Sequence, residues 1–286
     1  MDILILGNGF LGARIADALV ESNHDVTLFS KSIIDYTQSE TLIDYMRYSN
    51  FGLAINASGY TGRPNIDACE DDKENCWKYN VIAPLQIMEA CDRFNVPLAH
   101  LSSGCIYAGY DREFEEEDTP NFGLFNDESS FYSKTKHAAE TLLINRNAWI
   151  LRLRMPFTGE DVDRNYFNKI LGYNSLISED NSMTCVDDLC DFMVKLASRT
   201  KSVDKGIYNV VNYGAASAKE IVKMLAEAGI SNPEHYFIDT DDLKTKAKRS
   251  NCVLSNSKLR RIGLELPHIK VSLAKCIDEY SKALAN

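Results

Sequence analysis

The sequence predicts an α/β fold: a doubly wound parallel sheet with a smaller C-terminal lobe. Three observations predict it. The first 155 residues alternate short apolar strands with amphipathic helices. The opening strand, residues 2–6, contains the unbroken apolar run Ile3-Leu4-Ile5-Leu6, as a parallel strand covered on both faces requires. The turn Gly7-Asn8-Gly9-Phe10-Leu11-Gly12 joins that strand to a helix. A length of 286 residues allows one large domain or two modest ones, at roughly 150 residues each.

The elements follow in order. Residues 10–22 put Leu11, Ile15 and Leu19 on one helical face. Residues 26–29 and 53–56 read as the second and third strands, with a helix over 39–48 between them. A long helix covers 74–94, with a kink or break at Pro84. Residues 96–101 form the fourth strand, 129–146 a helix and 149–153 another strand. After Pro156 the pattern loosens. Residues 207–211 read as one more core strand, and Ser217 with Glu220 forms a capping box opening a helix to about residue 228. Residues 231–268 mix short apolar pieces with polar ones, and a closing helix fits 269–284. The acidic stretch 108–117 reads as a solvated surface loop.

Thirty-one Lys and Arg against 41 Asp and Glu give a formal charge of −10. Nucleic acid and anionic membranes require a cationic face, so both are excluded as general partners, while a small anion in a local basic pocket is not. The eight cysteines form no CxxC pair and have no His at metal-ligand spacing, so reduced, mostly buried thiols and no metal are expected. The N-terminus has no basic segment followed by a long apolar one, and no run approaches the roughly 20 apolar residues of a membrane span. A cytoplasmic enzyme is the expectation.

The glycine turn is the fingerprint of a Rossmann dinucleotide site. The first Gly permits the tight turn, the second lets a diphosphate approach the backbone, and the third lets helix and strand pack closely. Free N–H groups at the helix start hold the phosphates. Gly7, Asn8, Gly9, Phe10, Leu11 and Gly12, with Ala57 at the end of the third strand, form the expected cofactor cradle. An NAD site usually places a carboxylate at the end of the second strand. Here that position reads Phe29-Ser30-Lys31-Ser32, where a cation and two hydroxyls suit a 2′-phosphate. NADPH is therefore expected, with nearby Asp35 leaving NADH as the alternative. Residues 1–156 form the expected NADP-binding domain. Residues 157–286 form mainly a substrate-binding lobe, with about 185–228 returning to the first part.

Tyr132-Ser133-Lys134-Thr135-Lys136 is a YxxxK, which puts Tyr132 and Lys136 on one helical face. A nearby ammonium favours phenolate, so Tyr132 is expected to titrate near neutral pH as an acid–base group. Ser103 lies at the carboxyl end of the fourth strand, the edge where open α/β sheets bind ligands. On these residues the chain resembles the extended short-chain dehydrogenase/reductase superfamily. The resemblance implies that Ser103 and Tyr132 bond a substrate carbonyl, and that Tyr132 and Lys136 also contact the cofactor.

A narrower resemblance rests on tracts in register over about residues 55–260. They are Thr61-Gly62-Arg63-Pro64-Asn65-Ile66-Asp67, Gly104-Cys105-Ile106-Tyr107, Asp118-Thr119-Pro120-Asn121-Phe122, the YxxxK segment, Leu151-Arg152-Leu153-Arg154-Met155-Pro156, Asn181-Ser182-Met183-Thr184 and Arg249-Ser250-Asn251. The series is similar to the plant bifunctional nucleotide-rhamnose synthase/epimerase-reductases and their viral relatives. That resemblance implies a nucleotide-linked 4-keto-6-deoxyglucose, on UDP or dTDP, converted to nucleotide-L-rhamnose by epimerisation at C3 and C5 and reduction at C4. It implies Cys105 and Lys169 as the epimerisation acid–base groups. Arg63, Arg154, Arg164 and Arg249 are candidates for the substrate diphosphate, Arg249-Ser250-Asn251 lies where the superfamily holds the nucleotide, and Asn165 and Thr184 are candidates to line the sugar pocket. The superfamily's helix-packed homodimer is expected by the same analogy. Two rivals stand beside this reading: a reductase without epimerase activity, and a non-catalytic NADP-binding regulatory subunit.

Overall fold

The computed structural model describes residues 1–230 and 235–285. Residues 231–234, within the segment expected to be irregular, lie outside the described residues.

Six parallel strands form the central sheet: β1 (Asp2–Leu6), β2 (Asp25–Phe29), β3 (Leu53–Asn56), β4 (Leu98–Ser103), β5 (Ala148–Leu153) and β6 (Gly206–Asn209). They lie in the order β2-β1-β3-β4-β5-β6. The order reverses between β1 and β3, so the loops leaving these two strands diverge and open a crevice at their carboxyl ends. Ile3, Leu4, Ile5 and Leu6 are all fully buried, as their unbroken apolar run requires. On one face, Ile15 and Leu19 of α1 (Phe10–Glu21) pack with Leu189, Phe192 and Leu196 of helix Val186–Ser198. On the other, Leu42 and Met46 meet Ile87 and Met88 of helix Ala83–Arg93. The doubly wound α/β sheet is thus present.

A second apolar cluster gathers Phe157, Phe167, Leu225, Leu273 and Tyr280 around helices Tyr166–Gly172, Ala218–Glu227 and Ile269–Leu284. Ser217 caps the middle helix by accepting the Glu220 N–H at 3.2 Å. The return half of the expected box is absent, because the Glu220 carboxylate pairs with Lys270 at 2.7 Å.

Two expectations are revised here. The 74–94 helix is interrupted by a five-residue π turn, Lys78–Ile82, directly before helix Ala83–Arg93, so the irregularity expected at Pro84 takes the form of a π turn on the N-terminal side of the residue that donates no N–H. The acidic stretch is exposed at Asp111, Glu113, Glu115 and Glu117, as expected, but it is not a loop. Strand Gly109–Phe114 pairs with Cys252–Leu254, and Glu116 is buried, accepting the Asn209 N–H at 2.8 Å. Burial raises the Glu116 pKa above the usual carboxylate value. Seven of the eight cysteines are buried thiols, and Cys105 is the half-exposed exception.

Candidate active site

A cleft of about 830 Å³ runs along the carboxyl ends of the central strands and reaches across to the second apolar cluster. At one end is the glycine turn. Gly7 has φ +112°, and a Cβ there would lie 2.6 Å from the Ser58 nitrogen; at Gly12 a Cβ would lie 1.8 Å from the Gly7 oxygen. These two glycines shape the turn. Gly9 differs: a Cβ there would project into open space beside the cleft. Gly9 also caps α1 without a side-chain acceptor, leaving the first-turn N–H groups available to an anion. Gly9, Phe10, Leu11 and Ala57 form the cleft wall here, and the free N–H groups beside the open Gly9 position fit a dinucleotide diphosphate. Beyond β2, Ser30 Oγ and Ser32 Oγ are 2.7 Å apart. The Lys31 ammonium lies 4.4 Å from the centre of the Tyr79 ring, with Lys78 5.7 Å from the same ring. Hydrogen bonds from the Thr37 hydroxyl and amide hold the Asp35 carboxyl below its ordinary pKa and turn it toward its own loop.

At the centre, Ser103, Tyr132 and Lys136 all line the cleft. Helix Phe131–Leu143 starts where Ser130 accepts the Ser133 N–H at 3.1 Å. This cap sets the first turn, so Tyr132 and Lys136, four residues apart, share the inward face. The Lys136 ammonium donates to the Leu101 carbonyl at 3.4 Å and lies 5.9 Å from the Tyr132 ring centre. Burial pushes the Tyr132 hydroxyl well above its ordinary pKa; the neighbouring Cys105 adds to this, and a hydrogen bond from Ser103 opposes it. This corrects the expectation of a phenol lowered toward neutrality, since desolvation outweighs the ammonium. Lys136 itself is lowered by burial, with Glu140 opposing.

Asn80, in the π turn, is fully buried. Its Oδ1 accepts the Tyr60 N–H at 2.7 Å, and its Nδ2 donates to the Tyr60 carbonyl at 2.8 Å and to Thr135 Oγ1 at 3.1 Å. The extra residue of a π turn re-aims the side chain, a device common at functional sites.

Cys105 and Lys169 line the same cleft. The Cys105 N–H donates to Ser103 Oγ at 3.2 Å, and Arg154 Nη1 donates to Cys105 Sγ at 3.5 Å. Arg154 does not reach the cleft wall. It is almost fully buried, donating to Ser250 Oγ at 2.8 Å, to the Ser250 carbonyl at 3.0 Å and to Asn181 Oδ1. Among the described residues it has no carboxylate partner. Burial lowers the Lys169 pKa, and the Arg164 charge lowers it further.

The expected substrate residues divide. Arg63, Arg249 and Asn251 line the cleft, as does Arg164, whose Nη1 donates to Thr61 Oγ1 at 3.0 Å. Asn165 and Thr184 do not, which corrects the expectation for both. Asn165 is fully buried and caps helix Tyr166–Gly172, its Nδ2 donating to the Thr158 and Glu160 carbonyls. Thr184 Oγ1 accepts the Arg154 N–H at 3.1 Å and donates to the Val210 carbonyl at 2.8 Å, so its hydroxyl is fully used in joining strands.

Residues 1–282 match the family described as RmlD substrate binding domain. The chain belongs to this RmlD family. It is 36% identical over 241 residues to the bifunctional dTDP-4-dehydrorhamnose 3,5-epimerase/dTDP-4-dehydrorhamnose reductase of Arabidopsis thaliana, covering 80% of this chain and 77% of that protein. It is also 36% identical over 234 residues to an Arabidopsis trifunctional UDP-glucose 4,6-dehydratase/UDP-4-keto-6-deoxy-D-glucose 3,5-epimerase/UDP-4-keto-L-rhamnose-reductase, and spans only 34% of that relative's length. The crystal structure of the L780 UDP-rhamnose synthase from Acanthamoeba polyphaga mimivirus superposes with a TM-score of 0.86 at 25% identity, covering 98% of this chain and 99% of that one. The dTDP-4-dehydrorhamnose reductase of Bacillus anthracis, solved in complex with NADP, shares the fold with a TM-score of 0.83 at 21% identity.

Within this RmlD-family chain, two features of the cleft escaped sequence reasoning. Met155, two residues past β5, has φ +38°, an uncommon conformation for a side-chain-bearing residue, and lines the cleft. Arg249 is held in a fork by Asp67, 182 residues away, and no local pattern announces such a pair. No helix among the described residues is long and apolar enough to cross a membrane.

Proposed function

We propose that the chain is an NADPH-dependent 3,5-epimerase/4-reductase acting on a nucleotide-linked 4-keto-6-deoxyglucose, on UDP or dTDP, and yielding nucleotide-L-rhamnose. The observation that carries the reading is the presence of Cys105 and Lys169 in one cleft with Ser103, Tyr132 and Lys136. A reductase requires only the last three. The two additional groups answer the need of epimerisation, which removes a proton beside the ketone and returns one to the opposite face.

Gly9, Phe10, Leu11 and Ala57 would hold the dinucleotide diphosphate, with Ser30, Lys31 and Ser32 at its adenosine ribose. When bound, the reduced nicotinamide supplies a hydride to C4. Ser103 and Tyr132 orient the carbonyl, and Tyr132 delivers the proton to its oxygen. Lys136 holds the cofactor ribose and stabilises negative charge as the phenol gives up its proton. Lys169, whose amine is made easier to deprotonate by burial and Arg164, and Cys105, held by Arg154, exchange the protons at C3 and C5.

Incubating NADP⁺-loaded protein with the 4-keto sugar nucleotide in D₂O tests this without hydride transfer. Deuterium is expected at C3 and C5, and Cys105→Ser and Lys169→Met are each expected to abolish its uptake while leaving reduction of pre-epimerised substrate. Exchange needs the neutral Lys169 amine, so its rate is expected to rise with pH through a pKa below the ordinary lysine value of about 10.4. Wild-type protein that reduces pre-epimerised substrate but exchanges nothing on either nucleotide is a reductase alone. Lys31→Ala is expected to raise the KM for NADPH about tenfold and to leave that for NADH unchanged, reflecting one lost charge-assisted phosphate contact. Equal effects on both cofactors would remove Lys31 from the 2′-phosphate site.

A further inference from the structure

Residues 246–249 run along the cleft between the wall residues Thr245 and Arg249 and are pinned by three ion pairs. Lys246 Nζ meets Asp71 Oδ2 at 2.5 Å, and Lys248 Nζ meets Glu128 Oε2 at 2.7 Å. Both pairs are open to solvent, where such contacts hold weakly. The third is different. Arg249 Nη1 and Nη2 grip Asp67 Oδ1 and Oδ2 at 2.7 and 3.0 Å, with side chains only 17% and 23% exposed. The Ala247 N–H adds a bond to Asp67 Oδ1 at 3.3 Å, and the Ala247 carbonyl accepts from Arg249 Nη1 at 3.4 Å.

The two-pronged face of a guanidinium suits a carboxylate and a phosphate alike. In this structure that face of Arg249 is taken by Asp67, although Arg249 lines the cleft and Asp67 follows directly on the wall residues Arg63, Pro64, Asn65 and Ile66. The other cations on the wall are Arg63, Lys136, Arg164 and Lys169, and none forms an ion pair with a carboxylate among the described residues. Lys136 sits beside Tyr132, so a dianionic ligand elsewhere on the wall meets three unpaired cations and one already engaged.

Resting on the nucleotide-sugar reading, we propose that Asp67 is an internal competitor for the substrate diphosphate: it holds Arg249 and the 246–249 strap in place until the diphosphate takes the guanidinium from it. Asp67 thereby sets substrate affinity without touching the reacting sugar. Each binding event exchanges one anion for another on the same fork, so the free protein never leaves the Arg249 charge unmatched at the cleft.

The test is calorimetric titration of the NADPH-loaded protein with UDP and with dTDP. Asp67→Asn keeps the side-chain shape and removes the charge. It is expected to tighten binding about five- to tenfold, and Arg249→Ala to weaken it by at least as much. In the Arg249→Ala background, Asp67→Asn is expected to change nothing, because the two act as one unit. A measurement on unmodified protein guards against misfolded variants: the Ala247 amide, which donates to Asp67, is expected to exchange hydrogen faster in the UDP complex than without UDP. Asp67→Asn that binds UDP no better than wild type, or an Ala247 amide that exchanges more slowly in the complex, would overturn the proposal and leave the nucleotide-sugar reading standing. Wild-type protein that binds neither nucleotide would overturn both.

Discussion

Replacing Tyr132 by Phe is expected to slow reduction of the 4-keto sugar by roughly 10²- to 10⁴-fold, the usual weight of a positioned general acid. NADPH binding and deuterium uptake at C3 and C5 are expected to persist. The hydroxyl is the only atom removed, and the ring keeps its place in the cluster with Cys69 and Cys76. Burial holds this phenol protonated well above its ordinary pKa, so across neutral pH it is ready to donate. The sign matters: the protonated phenol is the active form, so this step is expected to be insensitive to pH below the elevated pKa and to be lost as pH rises through it. Single-turnover oxidation of NADPH with pre-epimerised substrate isolates the step. A Tyr132→Phe protein within about tenfold of wild type would assign the proton to another donor.

The second large effect concerns stability. Arg152 and Glu140 form an ion pair whose side chains are only 2% and 3% exposed. Two guanidinium nitrogens contact Glu140 Oε2, at 2.8 and 3.0 Å, and Ser102 Oγ donates to Oε1 at 2.6 Å. Glu140→Ala strands a buried cation whose remaining partners among the described residues are the Tyr107 hydroxyl and ring and the Glu116 carbonyl. The expected loss is about 3–5 kcal/mol in urea unfolding. Replacing both partners, with Glu140→Leu and Arg152→Met, is expected to recover most of it, because two apolar groups leave no charge uncompensated. A loss under about 1 kcal/mol for Glu140→Ala would mean that the pair behaves as a surface contact. Ser102 immediately precedes Ser103, so the single variant is also expected to lose activity at temperatures where it remains folded.

What could be read from the sequence was governed by local spacing. The strand, glycine turn and helix of residues 2–21 are legible because burial on both faces demands an apolar run and the turn demands glycines at fixed offsets. Tyr132 and Lys136 share a face through helical periodicity alone. Cys105 enters the cleft because it lies two residues past Ser103. The remainder depended on contacts distant in sequence. Glu116 looked solvated among four other acidic residues of its stretch, and only the approach of Asn209, 93 residues away, buries it. Asn165 and Thr184 are polar residues in suggestive tracts, yet each is consumed by backbone groups that the sequence does not bring into view. The direction of the Tyr132 pKa is not legible in the sequence, because the ammonium is visible in the motif and the depth of burial is not.

The Asn80 contacts have one more consequence. By clamping both backbone groups of Tyr60 and reaching Thr135 on the neighbouring helix, this side chain rivets the start of the 59–71 loop to the body that carries Tyr132 and Lys136. That side of the cleft cannot yield without unpairing a buried amide. Entry and exit of a ligand must then be accommodated beyond Tyr60, by the far part of the loop and the strap opposite it. The protein thus keeps its reacting groups on a fixed bench and confines movement to the doorway.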